Sequence, residues 1–273
     1  MLPFSVLMSL YWKERPEFLR QSLNSVLHQT VCPQEIILVE DGPLTPELYE
    51  VVNEFVGRYP IISVVKLSKN GGLGNALNEG LKHCTYDIVA RMDTDDIAKP
   101  NRFERQLNYM EGHEDIAASS SWIDEFIGTS ENVTSVKKLP ENHGEIFKYG
   151  KTRCPMNHPA VIYRKHIIQQ VGGYGPFPED YYLWGKLLVN GYKMHNIQES
   201  LLFFRSTPDV YKRRGGTAYF RAMYLLQKFL RDIGYISGSE FIKNMCIRGT
   251  VALLPNAVRK LFYNRILRVK ATQ

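Results

Sequence analysis

The sequence predicts an α/β fold: a mostly parallel sheet with helices on both faces, then a second subdomain and a helical tail. Three observations predict it. Short apolar runs alternate at brief intervals with segments of helical spacing as far as residue 115. Four of these runs end in polar or glycine-rich stretches, as strands do when they deliver ligand contacts at their carboxyl ends. Beyond residue 115 the runs acquire polar interruptions and the connections fill with Ser, Thr and Asn. The divisions that follow are 1–115, 116–215 and 216–273.

Phe4–Leu10 is a near-continuous apolar strand. Pro16 opens a helix in which Phe18, Leu19, Leu23, Val26 and Leu27 recur at helical spacing. Glu35–Glu40 is a second strand, closed by Asp41-Gly42-Pro43. Pro46 opens a second helix with Leu48, Val51, Val52, Phe55 and Val56 on one face. A third strand spans 62–67, and Asn70-Gly71-Gly72-Leu73-Gly74-Asn75 leads into a short helix. The fourth strand spans 87–92, and Lys99-Pro100 breaks the chain and starts the next helix.

The second part reads as a strand at 117–127, a hairpin or loop at 128–138 and a helix at 142–149. A loop containing Cys154 and Asn157-His158-Pro159 precedes a strand at 160–163 and a helix at 164–171. Gly172-Gly173-Tyr174-Gly175-Pro176 is a sharp stop. An amphipathic helix then starts at Pro178-Glu179-Asp180, and 193–206 holds one or two strands. The tail reads as helices at 218–233, 240–254 and 257–269.

The net charge of +6 conceals an asymmetry. Residues 212–273 carry 13 Lys and Arg against Asp232 and Glu240, whereas the rest carries 21 basic and 26 acidic residues. A globular body with a basic tail points to chemistry in the body and an anionic surface at the tail. Nucleic acid would also attract such a tail, but no nucleic-acid-binding motif accompanies the charge. Four cysteines without C-x-x-C spacing, and no signal-like N-terminus, predict reduced thiols in a cytoplasmic protein. The seven histidines form no zinc pattern.

Ile88-Val89-Ala90-Arg91-Met92-Asp93-Thr94-Asp95-Asp96 is an apolar run that ends in three carboxylates. Extended backbone would point Asp93 and Asp95 the same way, which suits a divalent cation such as Mg²⁺ or Mn²⁺. An acidic turn is the plainer alternative. A calcium loop is excluded, because Ile97 and Ala98 stand where it needs a ligand and a glycine. The glycine stretch is neither a dinucleotide fingerprint, which would need glycine at Leu77, nor a P-loop, since it has no G-K-S/T.

Together these residues resemble the family 2 inverting glycosyltransferases of GT-A fold. Ser9-Leu10-Tyr11, Glu40-Asp41-Gly42, Arg91 to Gln106, and Gly172-Gly173-Tyr174 with Glu179-Asp180-Tyr181-Tyr182-Leu183-Trp184 occur in the family's order and spacing. The resemblance implies that Ser9, Tyr11 and Glu14 line a nucleotide pocket and that Asp41 meets the uracil. It implies that Asn70 to Gly74 and Arg91 flank the nucleotide and its phosphates, with Asp93 near the ribose. Asp95, with Asp93 beside it, would hold Mn²⁺ or Mg²⁺, and Asp180 would be the catalytic base, with Glu179 the competing choice. Arg205 and the Lys212-Arg213-Arg214 run suit a diphosphate or a solvated loop equally. His158 is expected to be satisfied by backbone groups, and Trp184 to pack in the core.

Overall likeness extends to bacterial transferases that build O-antigen or capsule on undecaprenyl-diphosphate-linked GlcNAc from UDP-glucose or UDP-galactose. The basic aromatic tail would then lie on the cytoplasmic face of the inner membrane, with packing of its helices on the body as the plainer alternative and both in part as a third. Two other classes stay open: a sugar nucleotidyltransferase, and a non-catalytic membrane-surface module with a degenerate site.

Overall fold

The computed structural model describes residues 2–206, 216–253 and 269–270. β1 (Phe4–Leu10), α1 (Pro16–Leu27), β2 (Glu35–Glu40), α2 (Pro46–Arg58), β3 (Ile62–Lys66), α3 (Leu73–His83) and β4 (Ile88–Asp93) alternate along the chain. Their strands lie side by side in the order β3-β2-β1-β4, all parallel. Pro at the first turn starts both α1 and α2, and Thr45 caps α2 by accepting from the Leu48 amide at 3.4 Å.

Successive residues of β1 serve two cores. Phe4, Val6, Met8 and Leu10 join Leu19, Leu23 and Val26 of α1 and Val51 and Phe55 of α2. Leu7 joins Ile37, Val39 and, from α3, Leu77 and Leu81 on the opposite face. Period-two alternation buried on both faces is why these strands read as continuous apolar runs. Each fully buried Leu or Val of this kind stabilises the fold by about 1.5–3 kcal/mol.

The sheet continues past β4 without interruption. β5 (Ile97–Ala98), α4 (Arg102–Gly112), β6 (Ile116–Phe126), β7 (Val133–Lys137), α5 (His143–Gly150), a 3₁₀ turn (His158–Ala160), β8 (Ile162–Arg164), α6 (Lys165–Gln170), α7 (Glu179–Val189) and β9 (Lys193–Arg205) follow. β8 is antiparallel to both β4 and β6, and β9 runs parallel to β6 along its length. α8 (Gly216–Asp232) packs on α7, where Phe229 meets Tyr182 with ring centroids 4.7 Å apart. α9 (Gly238–Leu253) is tied to α8 through Asn244 and Gln227, and β10 (Val269–Lys270) adds to β7.

Several expectations need correction. Residues 97–98 form a strand and α4 begins at Arg102, because Ile97 and Ala98 pair with Phe203 and Leu202 of β9. Ala160 belongs to the 3₁₀ turn rather than to the following strand. The third tail helix, expected at 257–269, lies outside the described residues except for Val269, which is in β10.

Candidate active site

The parallel registers set Leu10 beside Glu40, Glu40 beside Lys66, and Ser9 beside Asp93. The four strand exits therefore share one edge, where residues from distant parts of the sequence converge.

Asp93 ends β4. Its carboxylate pairs bidentately with the fully buried guanidinium of Arg91, two residues earlier on the same strand face; Arg91 Nη1 lies 2.6 Å from Oδ2 and Nη2 contacts Oδ1. Its carbonyl accepts from Ser22 Oγ at 2.7 Å. Asp95 and Asp96 follow in a turn, so the carboxylates converge through that turn rather than through extended backbone. Thr94 Oγ1 lies 3.2 Å from Glu14 Oε2, and Glu14 Oε1 accepts from the Arg15 amide at 2.8 Å. Burial raises the Glu14 carboxyl above its ordinary value.

Oxygens of Asp93, Asp95 and Asp96 all lie within 4.8 Å of one another. Burial first, then the charges of Asp93 and Glu14, push Asp95 up to about 7. Asp96 is fully buried; Oδ1 accepts from the Arg205 amide at 2.8 Å, while Oδ2 has no hydrogen-bond partner. Among the described residues no Lys or Arg head pairs with the Asp95 carboxylate. Hard oxygen donors crowded together in this way fit a divalent cation.

Arg205 takes a different place from the diphosphate contact weighed for it. Its guanidinium donates to the Asp95 carbonyl at 2.8 Å and to Gln21 Oε1 at 2.6 Å, and lies over the rings of Phe18 and Phe126. It anchors the end of β9 to the carboxylate turn. Arg102, also fully buried, braces β4 from the other side by donating to the Arg91 carbonyl at 2.6 Å. Burial, reinforced by the Arg91 charge, lowers its guanidinium to about 9.

At the β2 exit, buried Asp41 shapes the glycine loop. Oδ1 accepts from the Gly71 amide at 2.7 Å, and Oδ2 from the Gly72 amide and Asn70 Nδ2, both at 3.0 Å. Gly42 has φ of +84°, and a Cβ there would lie 2.5 Å from the Asn70 nitrogen. Ser9, the next-to-last residue of β1, lies in register with Asp93 of β4 and Val39 of β2, and Tyr11 leaves β1 exposed.

The start of α7 reaches the same edge across α3. Asn78 of α3 binds both backbone groups of Tyr174, accepting from its amide at 2.8 Å and donating to its carbonyl at 3.0 Å. Gly74 permits the close approach, since a Cβ there would lie 2.6 Å from the Gly175 carbonyl oxygen and 3.0 Å from Glu179 Cβ. Burial, with the Asp180 charge next, raises Glu179 to about 7. Asp180 Oδ1 accepts from the Tyr181 amide at 2.8 Å, and Oδ2 lies 3.1 Å from the Cys154 thiol.

Ser9, Tyr11, Glu14, Asp41, Asn70, Gly74, Arg91, Asp93, Asp95, Glu179 and Asp180 thus all lie on or beside this edge, while Arg213 is outside the described residues. Trp184 is fully buried, as expected of a core residue. His158 differs from expectation. It is buried beside the rings of Tyr174 and Trp184, and its Nε2 has no partner rather than a backbone one. Cys154 carried no sequence signal beyond its lack of a C-x-x-C partner.

Comparison with known proteins bears directly on this arrangement. Residues 5–171 match the pattern of Glycosyl transferase family 2. The UDP-Gal:alpha-D-GlcNAc-diphosphoundecaprenol beta-1,3-galactosyltransferase of Escherichia coli is 42% identical over 267 residues, covering 97% of this chain and 96% of that protein. The amylovoran biosynthesis glycosyltransferase AmsE of Erwinia amylovora is 37% identical over 267 residues, covering 96% and 98%. Among solved structures, S. aureus TarS 1-349 in complex with UDP-GlcNAc superposes with a TM-score of 0.65 at 16% identity, over 90% of this chain and 71% of that one. That likeness establishes the GT-A fold. Members of this family generally depend on a divalent metal, and the aspartate cluster supplies a place for one. By fold, by family pattern and by full-length likeness to a named galactosyltransferase, the chain belongs to the family 2 glycosyltransferases.

Proposed function

We propose that this glycosyltransferase moves a hexose from a UDP-sugar to GlcNAc carried on a lipid diphosphate, inverting the anomeric centre. Galactose is favoured over glucose by the name of the Escherichia coli relative, which also supplies the undecaprenyl diphosphate acceptor, and relatives named for O-antigen and amylovoran biosynthesis support a place in polysaccharide assembly. The observation that supports the reading is that Glu179, next to Asp180 at the start of α7, lies close enough to Arg91 and Asp93 for their charges to act on it, with the Asp93, Asp95 and Asp96 cluster following on the same strand end.

In this reading residues 1–115 hold the donor and 116–215 the acceptor. Ser9, Tyr11 and Glu14 line the nucleotide pocket, Asp41 serves the uracil both directly and by shaping the glycine loop, and the start of α3 offers its positive end to the diphosphate. Mn²⁺ or Mg²⁺ at Asp95 and Asp93 would neutralise the charge that grows on departing UDP. Arg91 fixes the Asp93 carboxylate in place through its paired hydrogen bonds. Asp180 takes the proton of the acceptor hydroxyl as its oxygen attacks the anomeric carbon from the face opposite the diphosphate. One base and one displacement give inversion. The lipid acceptor would place the chain on an anionic cytoplasmic membrane surface, and among the described residues no helix is long and apolar enough to cross it.

The test supplies UDP-sugars, Mn²⁺ and a synthetic GlcNAc-diphosphate-lipid. UDP release with an inverted glycosidic product is expected, and Asp95→Ala should cut turnover about a thousandfold, about 4 kcal/mol of barrier. Pyrophosphate release from UTP and a sugar phosphate would replace this reading with a nucleotidyltransferase. Failure to bind UDP with Mn²⁺ would leave a non-catalytic module.

A further inference from the structure

Cys154 lies in the segment between α5 and the 3₁₀ turn, where it meets the first turn of α7. Its sulfur is 3.1 Å from Asp180 Oδ2 and 3.5 Å from the Met156 carbonyl. Burial, followed by the Asp180 charge, holds the thiol well above its ordinary value, so at neutral pH it keeps its proton and is a donor. The other oxygen of Asp180 is held by the Tyr181 amide. Backbone on one side and a thiol on the other thus fix the plane of the carboxylate.

We propose that Cys154 is a positioning residue for Asp180, orienting through its S–H···O bond the carboxylate that takes the acceptor's proton. The proposal rests on the reading of Asp180 as the base. A thiol suits the task because it is a weak donor. A strong donor would stabilise the charged carboxylate and make it a poorer proton acceptor, whereas a weak one sets direction with less loss of basicity. The contact is also specific in geometry, since general base catalysis needs the carboxylate within hydrogen-bond reach of the hydroxyl it deprotonates. Misplacement by an ångström can cost as much as a hundredfold in rate.

The experiment measures kcat and KM with UDP-sugar and the lipid-diphosphate acceptor for Cys154→Ala, Cys154→Ser, Asp180→Asn and the Asp180→Asn/Cys154→Ala double variant. Cys154→Ala should lower kcat about tenfold, with KM for the UDP-sugar and binding of UDP unchanged. Cys154→Ser should recover part of that loss, because its hydroxyl restores the direction of the bond while, as the stronger donor, it lowers the basicity of Asp180. In the Asp180→Asn background, Cys154→Ala should cause no further loss of residual turnover. An unchanged kcat in Cys154→Ala overturns the proposal. So does a loss that Ser fails to recover while the melting temperature falls, because that marks core packing. Near-normal turnover in Asp180→Asn would instead overturn the base assignment itself, which keeps the two failures distinct.

Discussion

Asp95 is where a single side chain reports the whole cluster. Its carboxyl is raised from 3.8 to about 7, chiefly by burial and then by Asp93 and Glu14. Between these values the folded metal-free protein keeps a proton that the unfolded chain has lost, so stability falls as pH rises, and the loss is complete above about 7. A shift of this size sets an upper bound of about 4 kcal/mol. Asp95→Asn removes this titration. In chelator at pH 8 the variant should therefore melt above the wild type, with the gap closing towards pH 4. Mn²⁺ should raise the wild-type midpoint and leave the variant's nearly unmoved. Thermal melts across pH decide it, and a wild-type midpoint equally far from the variant's at pH 4 and pH 8 would refute the account. These carboxylates were legible in sequence because three of them lie within four residues. Cys154 was not, since its contact with Asp180 spans 26 residues, and the contact of Arg205 with Asp95 spans 110.

At the scale of elements, the site depends on how closely α3 and α7 approach. Gly74 has no room for a methyl group against the Gly175 carbonyl, and Glu179 Cβ is close behind. Gly74→Ala should therefore push the start of α7 outward and cost about 1–3 kcal/mol of stability, the usual penalty of overpacking. Because Asp180 moves with α7 while Asp95 is held by β4 and Arg205, kcat should drop at least tenfold, by more than UDP binding with Mn²⁺ weakens. Calorimetry and steady-state kinetics on the same sample separate these effects; a loss of UDP binding equal to the loss of kcat would contradict the account. Elements with strong periodicity, such as α1, α2 and the four parallel strands, were readable from local pattern alone. β5 was not, because two residues become a strand only through pairing with β9 about a hundred positions later.

Across the whole molecule, the parallel half followed from the short alternation of strand and helix, but the mixed half did not. The antiparallel seat of β8 between β4 and β6, and the parallel run of β9 along β6, are set by packing between distant segments. The same scale governs the tail. α8 turns Met223, Leu226 and Leu230 inward, so part of the basic tail is packed on the body. It leaves Tyr224 and Leu225 outward, and α9 leaves Ile242 and Ile247 outward at 63% and 50% exposure. Apolar side chains facing solvent in a segment so rich in Lys and Arg are the combination that binds an anionic bilayer surface. Each basic residue near such a surface contributes about 1 kcal/mol, and each buried Ile about 1.5–3 kcal/mol. The full chain should therefore sediment with anionic phospholipid vesicles, weakly with neutral ones, and less at high salt. Ile242→Ser/Ile247→Ser should lower partitioning at least tenfold while leaving turnover of a short-chain, water-soluble acceptor unchanged, since both side chains face solvent on α9. Undiminished partitioning of this variant would move the contact away from the outward face of α9, and equal binding to neutral vesicles would remove the electrostatic part of the account.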